Sequence, residues 1–298
     1  MSTTLLYLSQ IRTAAHNLLF EKVEEQNGQF NDVVIVNREW VFRFPRYRDG
    51  VQRMAVEARL LDALRDHLPL PIPRVEYQRV DPPVPGLAFI GYKRLPGEGL
   101  SSSAVAAITG DGVLDHMAGQ LAGFLRMLHA MPLHVLPVEL LSGSGRARDN
   151  RDQWEEMYGE VREKLFPAMR PDARKTVAAH FEAYLDDRSL QRFDPALRHG
   201  DFGGSNILWD PAKGTITGVV DFSSCAPGDP AYDLASVSTL GDHLFQWIGL
   251  HYQPDAEKLA AMLARARFYR GTFALEEALD GMKNGDQSAY KAGMAEFV

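Results

Sequence analysis

Read along the chain, the apolar positions switch between two periods. Ile11, Ala14, Ala15, Leu18 and Leu19 recur three and four residues apart, which predicts a helix over residues 9–25. The runs 32–36 and 40–44 instead read as strands around a tight turn at Asn37-Arg38, and Asn27-Gly28 with Asn31 marks the loop before them. Met54, Ala55, Ala58, Leu61 and Leu64 give residues 52–64 one apolar face, and Pro69, Pro71 and Pro73 stop that helix and force extended backbone. A strand over residues 87–92 follows, and then a Pro and Gly cluster over 93–100 that reads as a linker. Met117, Leu121, Phe124, Leu125 and Leu128 mark an amphipathic core helix over 115–130, ended by His129, read as a structural histidine. Residues 149–187 and 254–292 read as further helices, with short strands at 195–199, 207–209 and 215–221 between them. Strands gathered at the front and helices behind predict an α+β chain of two lobes, 1–95 and 96–298, with no internal repeat.

Composition narrows the class. A chain of 298 residues, 45% hydrophobic, can bury a sizeable core. Its single cysteine, Cys225, rules out a disulfide framework or a multi-cysteine metal site, and reads as packing beside a turn. The amino terminus shows no basic stretch leading into an apolar core, and no run of about 18 apolar residues occurs, so a cytoplasmic protein without membrane contact is expected. Residues 1–95 hold 13 Lys or Arg against 11 Asp or Glu, net +2, while the remainder holds 19 against 28, net −9. An acidic second lobe disfavours nucleic acid and would steer a polycationic small molecule, although a solvated surface explains it equally well. Nothing in the sequence calls for an obligate protein partner.

The chemistry concentrates in Arg198-His199-Gly200-Asp201-Phe202-Gly203-Gly204-Ser205-Asn206, followed by Val219-Val220-Asp221-Phe222. Any one Asp in a turn is more often a cap or a solvated residue. A carboxylate, an amide five positions on and a second carboxylate on the next strand form the spacing that phosphoryl transfer uses. Asp201 is then the group that accepts the proton of an attacking hydroxyl. Asn206 and Asp221 are carried to one end of a hairpin closed by Asp210-Pro211-Ala212-Lys213-Gly214, where hard oxygen ligands suit Mg²⁺. His199 reads as a brace for the loop.

With Gly228-Asp229-Pro230-Ala231-Tyr232-Asp233-Leu234-Ala235 closing it, this run resembles the aminoglycoside phosphotransferase family, small-molecule relatives of protein kinases. Residues 37–46, Glu57 and residues 68–73 are similar to the amino-terminal lobe of the branch acting at the 2-double-prime hydroxyl, so the likeness runs from about Gly28 to Ala235. It implies a two-lobed protein-kinase-like fold with a small antiparallel sheet in the N-lobe and a larger, mostly helical C-lobe. It also implies Mg²⁺-dependent transfer of the γ-phosphoryl group of ATP or GTP to a hydroxyl, first of all on an aminoglycoside. Macrolides, amino alcohols and sugars remain alternative acceptors, and a catalytically silent nucleotide-binding module the alternative outside enzymes.

By the same resemblance Lys93 and Leu95 belong to a hinge whose backbone meets the nucleotide base, and Gly28 to the loop over the phosphates. Arg43 stands where the family carries a strand lysine, with Glu57 as its partner. The exchange keeps the charge but replaces a compact ammonium by a planar fork. Either Arg43 grips phosphate while pairing with Glu57, or the site has lost competence. Only six residues separate Asp221 from Gly228, too few for a peptide-docking loop, so the site should open to a small hydroxylated molecule cradled by the later helices. Glu155, Glu156, Glu160, Glu163, Glu276, Glu277 and Asp280 are candidates to face amines there, while Asp229 and Asp233 should fix the catalytic loop.

Overall fold

In the computed structural model, residues 3–28, 31–141, 151–253 and 255–298 are described. Gln29 and Phe30 of the first loop, and the predicted helix starts at Asp149 and Pro254, lie outside them. The first lobe runs α1 (Thr3–Ala14), β1 (Val23–Asn27), β2 (Asn31–Val36), β3 (Trp40–Pro45), α2 (Arg48–Leu64), β4 (Val75–Arg79) and β5 (Phe89–Lys93). Its sheet has the order β1-β2-β3-β5-β4, every pair antiparallel. Alternation along β3 sends Trp40, Phe42 and Phe44 to one face, where they pack with Val34, Val36 and Phe89 beneath Tyr7 and Ile11 of α1. Ile90 and Tyr92 face the other way, toward Met54 and Ala58 of α2, and Arg43 shares that strand phase. Asn37 and Arg38 take φ of 55° and 58° in the turn between β2 and β3, closed by Glu39 N–H donating to Val36 at 3.0 Å.

The helix expected over residues 9–25 is a correction. α1 starts earlier and stops at Ala14, and residues 23–27 are strand β1. The Asn37 side chain accepts from the backbone of Glu21 and Lys22 at 2.9 and 3.1 Å and donates to Leu19 O at 2.7 Å, which turns the chain into the sheet. Leu18, which continues the helical spacing of Ile11, Ala14 and Ala15, packs with Phe20 against the sheet core instead, and Leu19 is exposed.

The chain leaves β5 through residues 94–97 and enters the second lobe. There follow β6 (Glu98–Gly99), α3 (Ser102–Ala107), α4 (Asp111–His129), α5 (Val138–Leu141), α6 (Arg151–Glu160) and α7 (Pro171–Asp186). Then come β7 (Ala196–Arg198), β8 (Ile207–Asp210), β9 (Thr215–Val219), β10 (Ala226–Gly228), α8 (Ala231–Val237), α9 (Asp242–Tyr252), α10 (Ala256–Asn284) and α11 (Gln287–Met294). α4 is the spine of this lobe: Met117, Leu121, Phe124, Leu125 and Leu128 are fully buried, and Phe124 stacks on Phe202 at 5.6 Å. A small antiparallel sheet beside a mostly helical lobe is the two-lobed α+β architecture. No helix among the described residues is long and apolar enough to cross a membrane.

Candidate active site

Strand β7 delivers the chain into the loop 199–206, and pairing of β8 with β9 fixes the loop's far end. Ile207 faces Val219 in that ladder, and Val220 N–H donates to Asn206 O at 2.9 Å, so Asn206 and Asp221 meet at one end of the hairpin. Gly200 takes φ of 81°, and a Cβ there would lie 2.3 Å from Ser224 O, which only glycine avoids.

Asp233 of α8 holds the loop from behind. Fully buried, it accepts from the backbone N–H of His199 at 2.7 Å and of Gly200 at 2.8 Å, and from His129 Nε2 at 3.0 Å. His129 in turn meets the Tyr252 hydroxyl through Nδ1 at 2.7 Å. Burial pushes the Asp233 carboxyl up, but the bond and charge of His129, with His199 and the Gly200 N–H, outweigh it and hold the group below its ordinary value. His199 is fully buried; its Nδ1 receives the Asp201 N–H at 3.3 Å and its Nε2 donates to Val220 O at 3.2 Å. Both nitrogens are satisfied by a neutral ring, and desolvation lowers its affinity for a proton. Asp229 serves elsewhere: it takes Arg265 Nε and Nη2 at 2.5 and 3.2 Å and the Tyr269 hydroxyl at 2.8 Å, anchoring α10 rather than the loop.

Asp201 stays exposed, and its Oδ2 accepts from Asn206 Nδ2 at 2.8 Å. Partial desolvation, helped by the charges of Asp221 and Asp233, raises its carboxyl above the ordinary value against the lowering pull of His199 and Asn206. Asp221 sits in left-handed backbone, φ 61°, unusual for a residue with a side chain. Its Oδ1 receives Arg43 Nη2 at 2.9 Å and the Ser223 N–H at 3.4 Å. Burial raises this carboxyl, yet the Arg43 charge and the Ser223 bonds bring it below its ordinary value. Asn206 Nδ2 is committed to Asp201 and Asp221 Oδ1 to Arg43 and Ser223, so Asn206 Oδ1 and Asp221 Oδ2 are the site oxygens outside those bonds, with Asp201 Oδ1 beside them. An amide and a carboxylate oxygen at the same hairpin end fit the hard-ligand preference of Mg²⁺.

Arg43 links the two lobes. Its Nη1 donates to Glu57 Oε1 at 2.6 Å and its Nη2 to Asp221, so the two terminal nitrogens span a helix of one lobe and a loop of the other. Glu57 is buried, which raises its carboxyl despite Arg43; burial works against the Arg43 cation, but Glu57, Tyr92 and Asp221 outweigh it. A cavity of about 660 Å³ opens beside this clamp, bounded by Arg43, Glu57 and Phe222 and reaching Asn31.

The other expected residues are placed less tightly. Gly28 lies exposed in the first hairpin loop, donates to Asn31 O at 2.9 Å, and has no room for a Cβ, which would come 2.7 Å from that oxygen. Lys93 turns its ammonium over the Trp40 ring at 5.5 Å, on the sheet face opposite Arg43. Leu95 lies against Gly218 of β9, and the following Pro96 O accepts from Thr217 Oγ1 at 2.6 Å, pinning the crossing between lobes. Of the acidic candidates, Glu155 and Glu160 pair with Arg151 and Lys164 on their own helices, whereas Glu276 accepts from the Thr272 and Tyr232 hydroxyls at 2.8 and 3.3 Å. Neither the reach of Arg43 across 178 positions to Asp221 nor the His129 brace has a local sequence signal. Arg198, unremarked in the sequence beyond opening the run, has its side chain buried next to the loop.

Comparison with known proteins agrees with this geometry. A family profile described as a phosphotransferase enzyme family matches residues 26–278. The chain is 29% identical to viomycin phosphotransferase of Streptomyces vinaceus, over 91% of this chain and 90% of that one. Among solved structures, the GDP and kanamycin complex of APH(2'')-IIIa superposes with a TM-score of 0.85 at 25% identity, covering 98% of this chain and 96% of the other. Macrolide 2'-phosphotransferase MphH from Brachybacterium faecium has the same fold, with a TM-score of 0.71 at 22% identity over 99% and 97% of the two chains.

Proposed function

The chain belongs to the phosphotransferase enzyme family, and from that premise we propose that it moves the γ-phosphoryl group of ATP or GTP to a hydroxyl of an amine-bearing small molecule, an aminoglycoside in the first place. The observation that carries this reading is the convergence of Asp201, Asn206 and Asp221 at one hairpin end, with Arg43 clamped between Glu57 and Asp221. Asp201 accepts the acceptor's proton and aims its oxygen. Arg43 orders Asp221 and presents its remaining N–H groups toward phosphate. Asn206 Oδ1 and Asp221 Oδ2 would hold Mg²⁺, which when bound neutralises phosphate charge. The short segment from Asp221 to Gly228 leaves the acceptor side open to a small molecule. The cytoplasm, where nucleoside triphosphates are kept, is the compartment this activity needs.

Kanamycin is the acceptor the likeness to the complex with GDP supports. Viomycin is a second candidate, favoured by a relative that matches along nine-tenths of the chain. A nucleotide-consumption screen with ATP and GTP against kanamycin, viomycin, a macrolide and small amino alcohols tests the assignment. Acceptor-dependent consumption with an amine-bearing hydroxyl compound is expected; none with any acceptor would refute it.

A further inference from the structure

One cation of the chain already sits on the carboxylate that would hold the metal. Arg43 comes from β3 of the first lobe and Asp221 follows β9 of the second, and Arg43 Nη2 donates to Asp221 Oδ1 at 2.9 Å. Its Nη1 is spent on Glu57 Oε1 at 2.6 Å. The two contacts differ in exposure: the Arg43 and Glu57 side chains are 6% and 3% accessible, that of Asp221 39%. Arg43 and Glu57 therefore form a buried pair in which loss of either partner strands a charge, and this ties the cation to its place. Asp221 is the end that an ion in solvent can reach.

The direction of the second arm is set by the core and not by the loop. Arg43 shares its face of the sheet with Ile90 and Tyr92, which pack on Met54 and Ala58 of α2, the helix that carries Glu57. A planar fork pinned there through Nη1 aims Nη2 at Asp221, where the Ser223 N–H meets the same oxygen at 3.4 Å. A divalent cation arriving alone thus meets a carboxylate whose charge is answered, with a fixed positive charge beside it that repels the newcomer. Arriving with a nucleotide, it brings phosphate charge that offsets both cations and offers Arg43 further acceptors.

We propose that Arg43 is a built-in counter-cation that makes metal capture at Asp221 conditional on nucleotide: the chain turns away a free divalent cation and takes it up together with the triphosphate. This rests on the reading of Asn206 and Asp221 as the residues toward Mg²⁺ and adds a control to it. An arginine suits the task, because a compact ammonium does not offer Glu57 and Asp221 two separate, fixed N–H arms.

Binding of Mn²⁺ to the full chain without nucleotide, read from the electron spin resonance of the free ion, tests this. Wild type should bind Mn²⁺ with a Kd weaker than about 100 µM, and tighter binding overturns the inference without any variant. Arg43→Met combined with Glu57→Gln removes both charges of the buried pair, leaves the local net charge unchanged and takes only the cation off Asp221. This double variant should bind Mn²⁺ at least about tenfold tighter than wild type, and adding Asp221→Asn should abolish the gain. Glu57→Gln alone, which leaves Arg43 on Asp221, should show no gain. Affinity no higher than wild type in the folded double variant overturns the proposal, as does a gain that survives Asp221→Asn or appears with Glu57→Gln alone. Nucleotide binding reads the underlying site separately: Asp221→Asn in the otherwise wild-type chain should lose the tightening that Mn²⁺ gives a non-hydrolysable ATP or GTP analogue. Tightening that persists there puts the metal elsewhere and removes both readings, whereas its loss with no gain in the double variant strikes only the role of Arg43.

Discussion

Asn206 grips Asp201 twice, its side-chain Nδ2 donating to the backbone carbonyl at 2.9 Å and to the carboxylate at 2.8 Å. One amide thereby fixes both the loop and the direction of the Asp201 carboxylate. The bond also favours the ionised form of Asp201, against desolvation that raises it. If Asp201 is the base it must be deprotonated to act, so kcat/KM should rise with pH on a limb set by the Asp201 pKa, which desolvation raises from its ordinary value. In Asn206→Ala that limb should move to higher pH, measured as a pH–rate profile at saturating Mg²⁺. An unmoved limb would separate Asp201 from the rate.

Arg43→Ala leaves Glu57 buried without its cation, so unfolding in urea should become easier by about 3–5 kcal/mol. The same change should weaken nucleotide binding by roughly 1.5–3 kcal/mol through the lost phosphate contact. Arg43→Lys should recover only part of both, because one ammonium cannot reach Glu57 and Asp221 in the spread geometry of a guanidinium. Parent-like nucleotide affinity in Arg43→Ala would remove Arg43 from the phosphate site.

How much of this was legible follows from which contacts are local. Asp201, Asn206 and Asp221 stand in one short run whose hairpin turn is written in Asp210 to Gly214, so their convergence follows from strand pairing alone. The helices 52–64 and 115–130 were legible because Met54, Leu61, Met117 and Leu121 repeat at one period, and the structure extends them only at their ends. Residues 18–25 were not, because Leu18 continues the period of Ile11, Ala14 and Ala15, while Glu21 and Lys22 are held by Asn37 and residues 23–27 pair with strand β2, partners supplied by later sequence. The division of labour between Asp229 and Asp233 was hidden for the same reason: two acids four positions apart turn to opposite helices, Asp229 to Arg265 and Asp233 to His129.

Acid should loosen the catalytic loop before it unfolds the lobes. The folded Asp233 carboxyl is held below its ordinary value, so its contribution is full above the unfolded pKa of about 3.9 and fades as pH falls through the folded one. His199, also lowered, adds stability above the ordinary histidine pKa of about 6.5 and loses it on acidification below that. The two effects have the same sign in separate windows, so the urea midpoint should fall as pH drops below about 6.5 through His199, and fall again below about 3.9 through Asp233. Asp233→Asn should cost roughly 3 kcal/mol at pH 7 and flatten the acid end of the curve. A variant as stable as the parent would show that the loop is braced by other groups.

Gly200→Ala should destabilise the fold by at least about 2 kcal/mol and abolish turnover, since φ is 81° and the added methyl meets Ser224 O. Thermal melting and a turnover assay check this together. Gly112, in α4 with open space around it, is the control: Gly112→Ala should leave turnover unchanged and raise stability by up to about 1 kcal/mol.

The central claim is that Asp201 is the base of a phosphoryl transfer to a small-molecule hydroxyl. Its most direct test follows γ-labelled ATP and GTP with kanamycin, comparing wild type with Asp201→Asn and measuring labelled phosphate on the acceptor and nucleotide affinity side by side. The account predicts label on kanamycin with wild type, a fall of about 10²-fold or more in the variant, and nucleotide affinity nearly intact. Transfer by Asp201→Asn within a few-fold of wild type would contradict it.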